Sequence, residues 1–248
     1  MNRWILVAGA SRGIGKETAR LLLQEGYSVI ASARDVALIE KNFSDVREDR
    51  LRIVPFDFSR VDNLEEFASE VTNLTGGISG MLYSAGMQKT LPLAQSKYSV
   101  AEEIFCVNTF AAFELVRLFA KKNAVNADGA SFVLLSSLAA REGALGKALY
   151  GASKGALEGF IPAAAAELAA RKIRLNAVAL GVVNTDMSME VMGKMGEEQI
   201  KTLKRSYPLG LGEPEDAACF IAYLLSKKAR WITGQTFVLD GGHSVRGT

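Results

Sequence analysis

Short, continuously apolar runs alternate with helical patterns along the whole chain, and this alternation limits the folds open to it. The apolar runs lie at residues 3–8, 28–33, 51–56, 80–84, 131–135, 174–179 and 236–239. Between them, apolar residues recur with a helical period, notably over 14–23, 64–74, 100–121, 148–170 and 215–225. Runs that are apolar throughout belong to strands buried on both faces, and strands separated by helices pair in parallel. The pattern predicts an α/β fold, a single doubly wound (Rossmann) three-layer sandwich with a parallel sheet of about seven strands. At 248 residues, one such domain accommodates positions 1–248. Ligands bind these sheets beyond the carboxyl ends of the strands, and Gly9, Gly86, Ser137 and Gly181 all follow predicted strand ends.

The first strand feeds a glycine-rich turn, Gly9-Ala10-Ser11-Arg12-Gly13-Ile14-Gly15, and a helix leaves it. Glycines there permit unusual backbone angles and close approach of a ligand, while the helix start aims N–H groups and a positive dipole end at a phosphate. Tyr150-Gly151-Ala152-Ser153-Lys154 carries a second signal. One helical turn places Tyr150 and Lys154 on the same face, where an ammonium stabilises a phenolate. Lowering a phenol by roughly two to three pK units takes about 3–4 kcal/mol of differential stabilisation, much of which a fixed lysine charge can supply.

With Ser137 thirteen residues before Tyr150, the GxxxGxG turn and YxxxK resemble the short-chain dehydrogenase/reductase family over essentially the whole chain. Residues 8–15 match the family's TGxxxGxG, 83–86 its NNAG, Asn108 its mid-helix asparagine, and 176–181 the segment that ends in Pro-Gly. Ala8 stands in place of the threonine, Tyr83 and Ser84 in place of two asparagines, and Leu180 in place of the proline. The resemblance implies that Tyr150 exchanges a proton with the substrate oxygen and that Ser137 hydrogen-bonds the same oxygen. Lys154 would lower the phenol pKa and hold the nicotinamide ribose, and Asn108 would interrupt its helix and position a water relay to Lys154. Ser136 is the rival to Ser137, and the thirteen-residue spacing favours Ser137. The cofactor contacts implied are Gly9, Ser11, Arg12, Gly13, Ile14, Gly15, Arg34, Asp57, Phe58, Ala85, Gly86, Tyr150, Lys154, Gly181, Val183 and Thr185.

Charge argues for NADP(H). An NAD-specific site places an acidic residue at the end of the second strand, to bind the ribose 2′-hydroxyl. Here that place holds Ala33, followed by Arg34, and Arg12 lies in the turn, so two guanidiniums would flank a 2′-phosphate. Asp35 is the competing group, because a carboxylate one or two positions along can still reach a ribose. Asp57 resembles the family's adenine-contacting aspartate and equally suits a turn before Ser59.

The overall pattern is similar to 3-oxoacyl-[acyl-carrier-protein] reductases of fatty acid biosynthesis, which implies carrier-linked acyl substrates. A small ketone, sugar or polyol is the alternative, and a non-catalytic cofactor-binding sensor or scaffold a second one. Residues 186–207, with Met187, Met189, Met192 and Met195, correspond to the family's substrate lid and read equally as an amphipathic helix with methionine as filler. For carrier docking, Arg171 matches a basic residue at the site mouth, whereas Asp128 stands where another is expected. The alanines at 163–166 and 169–170 allow close helix packing, as in the family's dimers and tetramers, with Pro162 expected to bend that helix.

Other functions lack their residues. The net charge is +2, with 29 basic and 27 acidic side chains and no long block of either sign, which gives no footprint for nucleic acid. No apolar run reaches the ~20 residues of a membrane span, and the N-terminus has no signal-peptide layout, so the expected location is cytoplasmic. His243 is the sole histidine and no metal-ligand spacing surrounds it. Cys106 and Cys219 read as buried thiols.

Overall fold

The computed structural model describes residues 3–245 and contains one parallel sheet of seven strands in the order β3-β2-β1-β4-β5-β6-β7. The strands are β1 (Trp4–Ala8), β2 (Ser28–Ser32), β3 (Leu51–Ile53), β4 (Gly80–Tyr83), β5 (Ala130–Ser137), β6 (Ile173–Leu180) and β7 (Thr236–Leu239). The helices are α1 (Gly13–Gln24), α2 (Val36–Asn42), α3 (Leu64–Thr75), α4 (Tyr98–Phe105), α5 (Ala111–Phe119), α6 (Ala148–Ala169), α7 (Asp186–Met192), α8 (Glu197–Arg205) and α9 (Pro214–Leu225).

Every residue of β1, β2 and β4 is buried, as continuously apolar runs require when helices cover both faces. One core gathers side chains of α3, α5 and α6 under the sheet, among them Leu64, Leu115 and Leu157. The other gathers α1 and α9, among them Leu22 and Ile221. β3 is shorter than its apolar run because it lies at the sheet edge with one neighbour, whereas β5, between β4 and β6, extends further at both ends.

The predicted helix over 100–121 is interrupted. Residues 106–110 form a π-helical turn between α4 and α5, and Asn108 sits in it. α6 runs unbroken through Pro162. α2 is a helix too short for its period to show in sequence; Asp35 caps it by accepting the Leu38 N–H at 3.0 Å. Cys106 is half-buried, but Cys219 is exposed on α9, contrary to the expected buried thiol, because it lies on the helix face turned away from the sheet.

The substituted family positions are braced by other groups. The Ser84 hydroxyl donates to the carbonyls of Ala8 and Gly9 at 3.0 and 3.2 Å, tying β4 to the end of β1 where the threonine is missing. Tyr83 is fully buried and donates its hydroxyl to the Val107 carbonyl in the π turn.

Candidate active site

The glycine turn folds back on β2: Gly9 has φ +94°, and the N–H groups of Gly9 and Ala10 both donate to the Ser32 carbonyl, at 2.8 and 3.1 Å. A Cβ on Gly9 would stand 2.7 Å from the Ala85 nitrogen and 2.8 Å from the Ser84 hydroxyl, so only glycine lets the turn lie against the end of β4. Gly15 is equally closed in by the Gly9 carbonyl. Ser11 is buried, and its carbonyl accepts from the Asn42 amide at 2.8 Å; Ile14 packs at the edge of the α1 core. Arg12 stands at the N-cap of α1 with no side-chain cap, which leaves the first N–H groups of the helix without a side-chain acceptor. That donor set, beside a turn with no side chains in the way, fits a dinucleotide pyrophosphate.

At the end of β2, Ala33 is buried while Arg34 is exposed. Asp35, the competing ribose ligand, has one carboxylate oxygen engaged as the α2 cap. Arg12 is exposed and reaches Asp186 at 4.0 Å, so it leans toward α7. Asp57 accepts from the Ser59 N–H and hydroxyl at 3.1 and 2.9 Å, which is the turn alternative. Burial alone would raise its pKa, but the Ser59 hydrogen bonds, with Arg34 and Arg60 nearby, hold it below the usual carboxylate range. Phe58 is buried edge-on to Phe56, Phe67 and Tyr83, so its side chain belongs to the core and only its backbone is left for a ligand.

At the carboxyl end of β5 the two serines part. Ser136 turns its hydroxyl toward α6, 2.7 Å from Glu158 and 3.3 Å from the Lys154 carbonyl, whereas Ser137 hydrogen-bonds the Tyr150 phenol. Both partners lie on α6, Tyr150 at its start and Glu158 two turns further along, and this separates the rivals. Lys154 is buried and donates to the Leu135 carbonyl at 2.7 Å. Burial pushes the Tyr150 pKa up, opposed only by the Ser137 hydrogen bond, and burial drives Lys154 down to about 8.

Asn108 is fully buried. Its Oδ1 accepts from the Met87 N–H at 2.8 Å, and its Nδ2 donates to the Met87 carbonyl and the Ser153 hydroxyl, each at 3.0 Å. A Cβ on Gly86 would lie 3.3 Å from Asn108 Oδ1 and 3.6 Å from Lys154 Nζ, so Gly86 occupies the gap between them, and Ala85 precedes it half-buried. The contribution of Ser153 escaped the sequence reading; its one signal was its place within YxxxK, next to Lys154.

After β6, Gly181 packs beneath Tyr207 and Asp240, with no room for a Cβ. The Tyr207 hydroxyl accepts the Val182 N–H at 3.0 Å, and the Gly181 N–H donates to Leu239 at 3.0 Å, so the turn lacking proline is held by hydrogen bonds instead. Val183 bridges to Gly212, and Thr185 caps α7 with its methyl 3.2 Å from where a Gly13 Cβ would be, close to the glycine turn. α7 and α8 contain no buried residue, and Met187 and Met189 are exposed. Asp128 and Arg171 do not lie at the mouth of this site. They precede β5 and β6, at the amino ends of strands whose carboxyl ends carry Ser137 and Gly181, roughly 20 Å away at strand rise. Asp128 instead faces Lys227 at 3.8 Å, and Arg171 donates to the Lys121 carbonyl at 3.0 Å. Among the described residues there is no cluster suited to a metal ion and no helix long and apolar enough to cross a membrane.

Residues 9–244 match the family model described as enoyl-(acyl carrier protein) reductase. The chain is 31% identical over 243 residues to carbonyl reductase family member 4 of Xenopus tropicalis, with 98% of each chain covered. It is also 31% identical over 249 residues to the 3-oxoacyl-[acyl-carrier-protein] reductase of Staphylococcus epidermidis, covering 98% of this chain and 99% of that one. Among solved structures, a short-chain dehydrogenase/reductase (glucose/ribitol dehydrogenase) from Brucella melitensis superposes with a TM-score of 0.89 at 30% identity, over 98% of this chain and 96% of the other. A short-chain dehydrogenase/reductase from Mycobacterium ulcerans gives 0.90 at 28% identity, over 99% and 91%. A glycine turn, a serine-tyrosine-lysine set and a doubly wound sheet, matched along nearly the whole length by these relatives, mean that the chain belongs to the short-chain dehydrogenase/reductase family of oxidoreductases.

Proposed function

We propose that this protein is an NADPH-dependent reductase that converts a carbonyl to a secondary alcohol, with a 3-oxoacyl thioester as substrate. The observation that carries the reading is the convergence of Ser137, Tyr150, Lys154 and Asn108 at the carboxyl end of one sheet, next to an uncapped helix start. Bound NADPH supplies the hydride. Tyr150 gives the proton to the developing alkoxide, and a phenol held protonated by burial suits the reductive direction. Ser137 donates to the same oxygen, and Lys154 holds the ribose, with Asn108 ordering a water toward it. Arg34 and Arg12 support a 2′-phosphate, and the use of Asp35 as a helix cap supports it further.

The thioester rests on the relatives named as 3-oxoacyl-[acyl-carrier-protein] reductases and on the methionine-bearing α7, which we assign as part of a lid over the substrate within one domain spanning 1–248. A small ketone, sugar or polyol is the second reading, and the distance of Arg171 and Asp128 from this chain's own site favours it. Side-by-side NADPH consumption with acetoacetyl-carrier protein, acetoacetyl pantetheine and a panel of small ketones at low salt tests both. A large kcat/KM advantage for the carrier-bound substrate supports the first reading, because remote binding energy is then used in the transition state; equal values support the second, and no turnover with any carbonyl overturns both. Ala163, Ala166 and Ala169 are exposed on α6, as is Ala170 at its C-cap, and Phe160 stacks on Phe113 of α5 at 4.1 Å; this face supports assembly into a dimer or tetramer. A cytoplasmic location accompanies the reading.

A further inference from the structure

Tyr83 closes β4 with its ring fully buried, Phe58 edge-on to it at 5.6 Å. Its hydroxyl leaves the sheet and donates to the Val107 carbonyl, within the π turn. In that turn the Ala111 N–H bonds to the Cys106 carbonyl, five residues back, so one residue more than an α-turn is accommodated just where Asn108 stands. A slip of one residue back to α-helical register would rotate Asn108 by about 100° around the helix axis. Both Nδ2 protons and Oδ1 would then lose Met87 and Ser153. From α6, the Ser153 carbonyl holds the neighbouring Thr109 hydroxyl at 2.9 Å; from the sheet, Tyr83 holds Val107.

We propose that Tyr83 is a positioning residue: its hydroxyl fixes the π turn in the register that presents Asn108 between Met87 and Ser153, beside Gly86 and Lys154. The proposal rests on the relay role assigned to Asn108 above. Residue 83 is where this chain carries a tyrosine in place of the family's asparagine. An asparagine side chain is too short to follow the same path from the strand end, so this brace belongs to the tyrosine. Burial pushes the phenol pKa up, so the hydroxyl keeps its proton at neutral pH.

Tyr83→Phe removes the hydroxyl and keeps the ring. In the full-length protein, amide hydrogen exchange over 104–111 should accelerate by about tenfold, with α9 unchanged. In NADPH-dependent reduction kcat should fall by about tenfold while KM for substrate stays within about twofold, as for loss of alignment in the transition state. The double variant Tyr83→Phe/Asn108→Ala should be no slower than Asn108→Ala alone. Unchanged exchange in the turn overturns the proposal, and so do additive losses in the double variant. Should Tyr83→Phe be destabilised as a whole, exchange over 104–111 relative to exchange over α9 decides, because a general loss of stability accelerates both. If the wild-type protein reduces no carbonyl, the proposed function fails, and the exchange measurement still decides whether Tyr83 holds the turn.

Discussion

The Lys154 ammonium donates to the Leu135 carbonyl at 2.7 Å, and this bond fixes where the charge sits. A strand carbonyl from β5 thus anchors a helix side chain from α6 beneath the cleft. The anchoring costs stability, because the carbonyl only partly replaces the water lost on burial.

The cost has a defined pH window. Burial lowers Lys154 to about 8 from an unfolded value near 10.4, so the folded state binds fewer protons between those limits and stability rises with pH across them. Tyr150 and Tyr83, both raised by burial, act in the opposite sense only above about pH 10. Urea unfolding of wild type and Lys154→Met at pH 7.5 and pH 9.5 should show the wild type gaining on the variant by on the order of 1–2 kcal/mol at the higher pH. A constant difference would mean that the lysine is not desolvated as described.

Tyr150→Phe removes the proton donor that Ser137 hydrogen-bonds. Turnover should fall by ~10²–10⁴-fold, with NADPH binding kept. Steady-state kinetics with a fluorescence titration of NADPH checks both halves, and near-normal turnover would refute the assigned chemistry.

Arg34 is exposed beside Asp57, and Asp35 caps α2. NADPH should therefore bind more tightly than NADH, and Arg34→Ala should narrow the gap by about 1–3 kcal/mol. Equal affinities in the wild-type protein would remove the basis for the 2′-phosphate site.

Ser84→Ala deletes the hydroxyl that donates to Ala8 and Gly9. Two carbonyls at the glycine turn lose a donor, so unfolding free energy should drop by about 1–2 kcal/mol and NADPH binding should weaken. Thermal melts with and without NADPH measure the two effects; an unchanged melting temperature would show that the brace contributes nothing.

Much of the architecture was legible because it depends on periodicity. Apolar runs without alternation mark strands covered on both sides, and Gly9, Gly86, Ser137 and Gly181 mark strand ends by their place in that order. α2 was not legible as a helix, and residues 186–207, which hold α7 and α8, read equally as a lid or as one amphipathic helix. α2 is a single short stretch held by its cap, and α7 and α8 contain no buried residue, so nothing in the core fixes their limits. The interruption at Asn108 was expected only from the family resemblance, since one extra residue in a long apolar helix barely alters its period.

Local spacing along the chain thus determined which elements form and which residues reach the carboxyl edge of the sheet. Tertiary structure alone decided what those residues touch. It turned Ser136 to Glu158 and Ser137 to Tyr150, and it gave Asp35 to a helix cap. It also set Asp128 against Lys227 and Arg171 against the Lys121 carbonyl, and joined Tyr83 to Val107. The reason is physical: backbone propensity and side-chain period act over a few residues, whereas a hydrogen bond or a buried charge depends on partners that only the packed sheet and helices bring within reach.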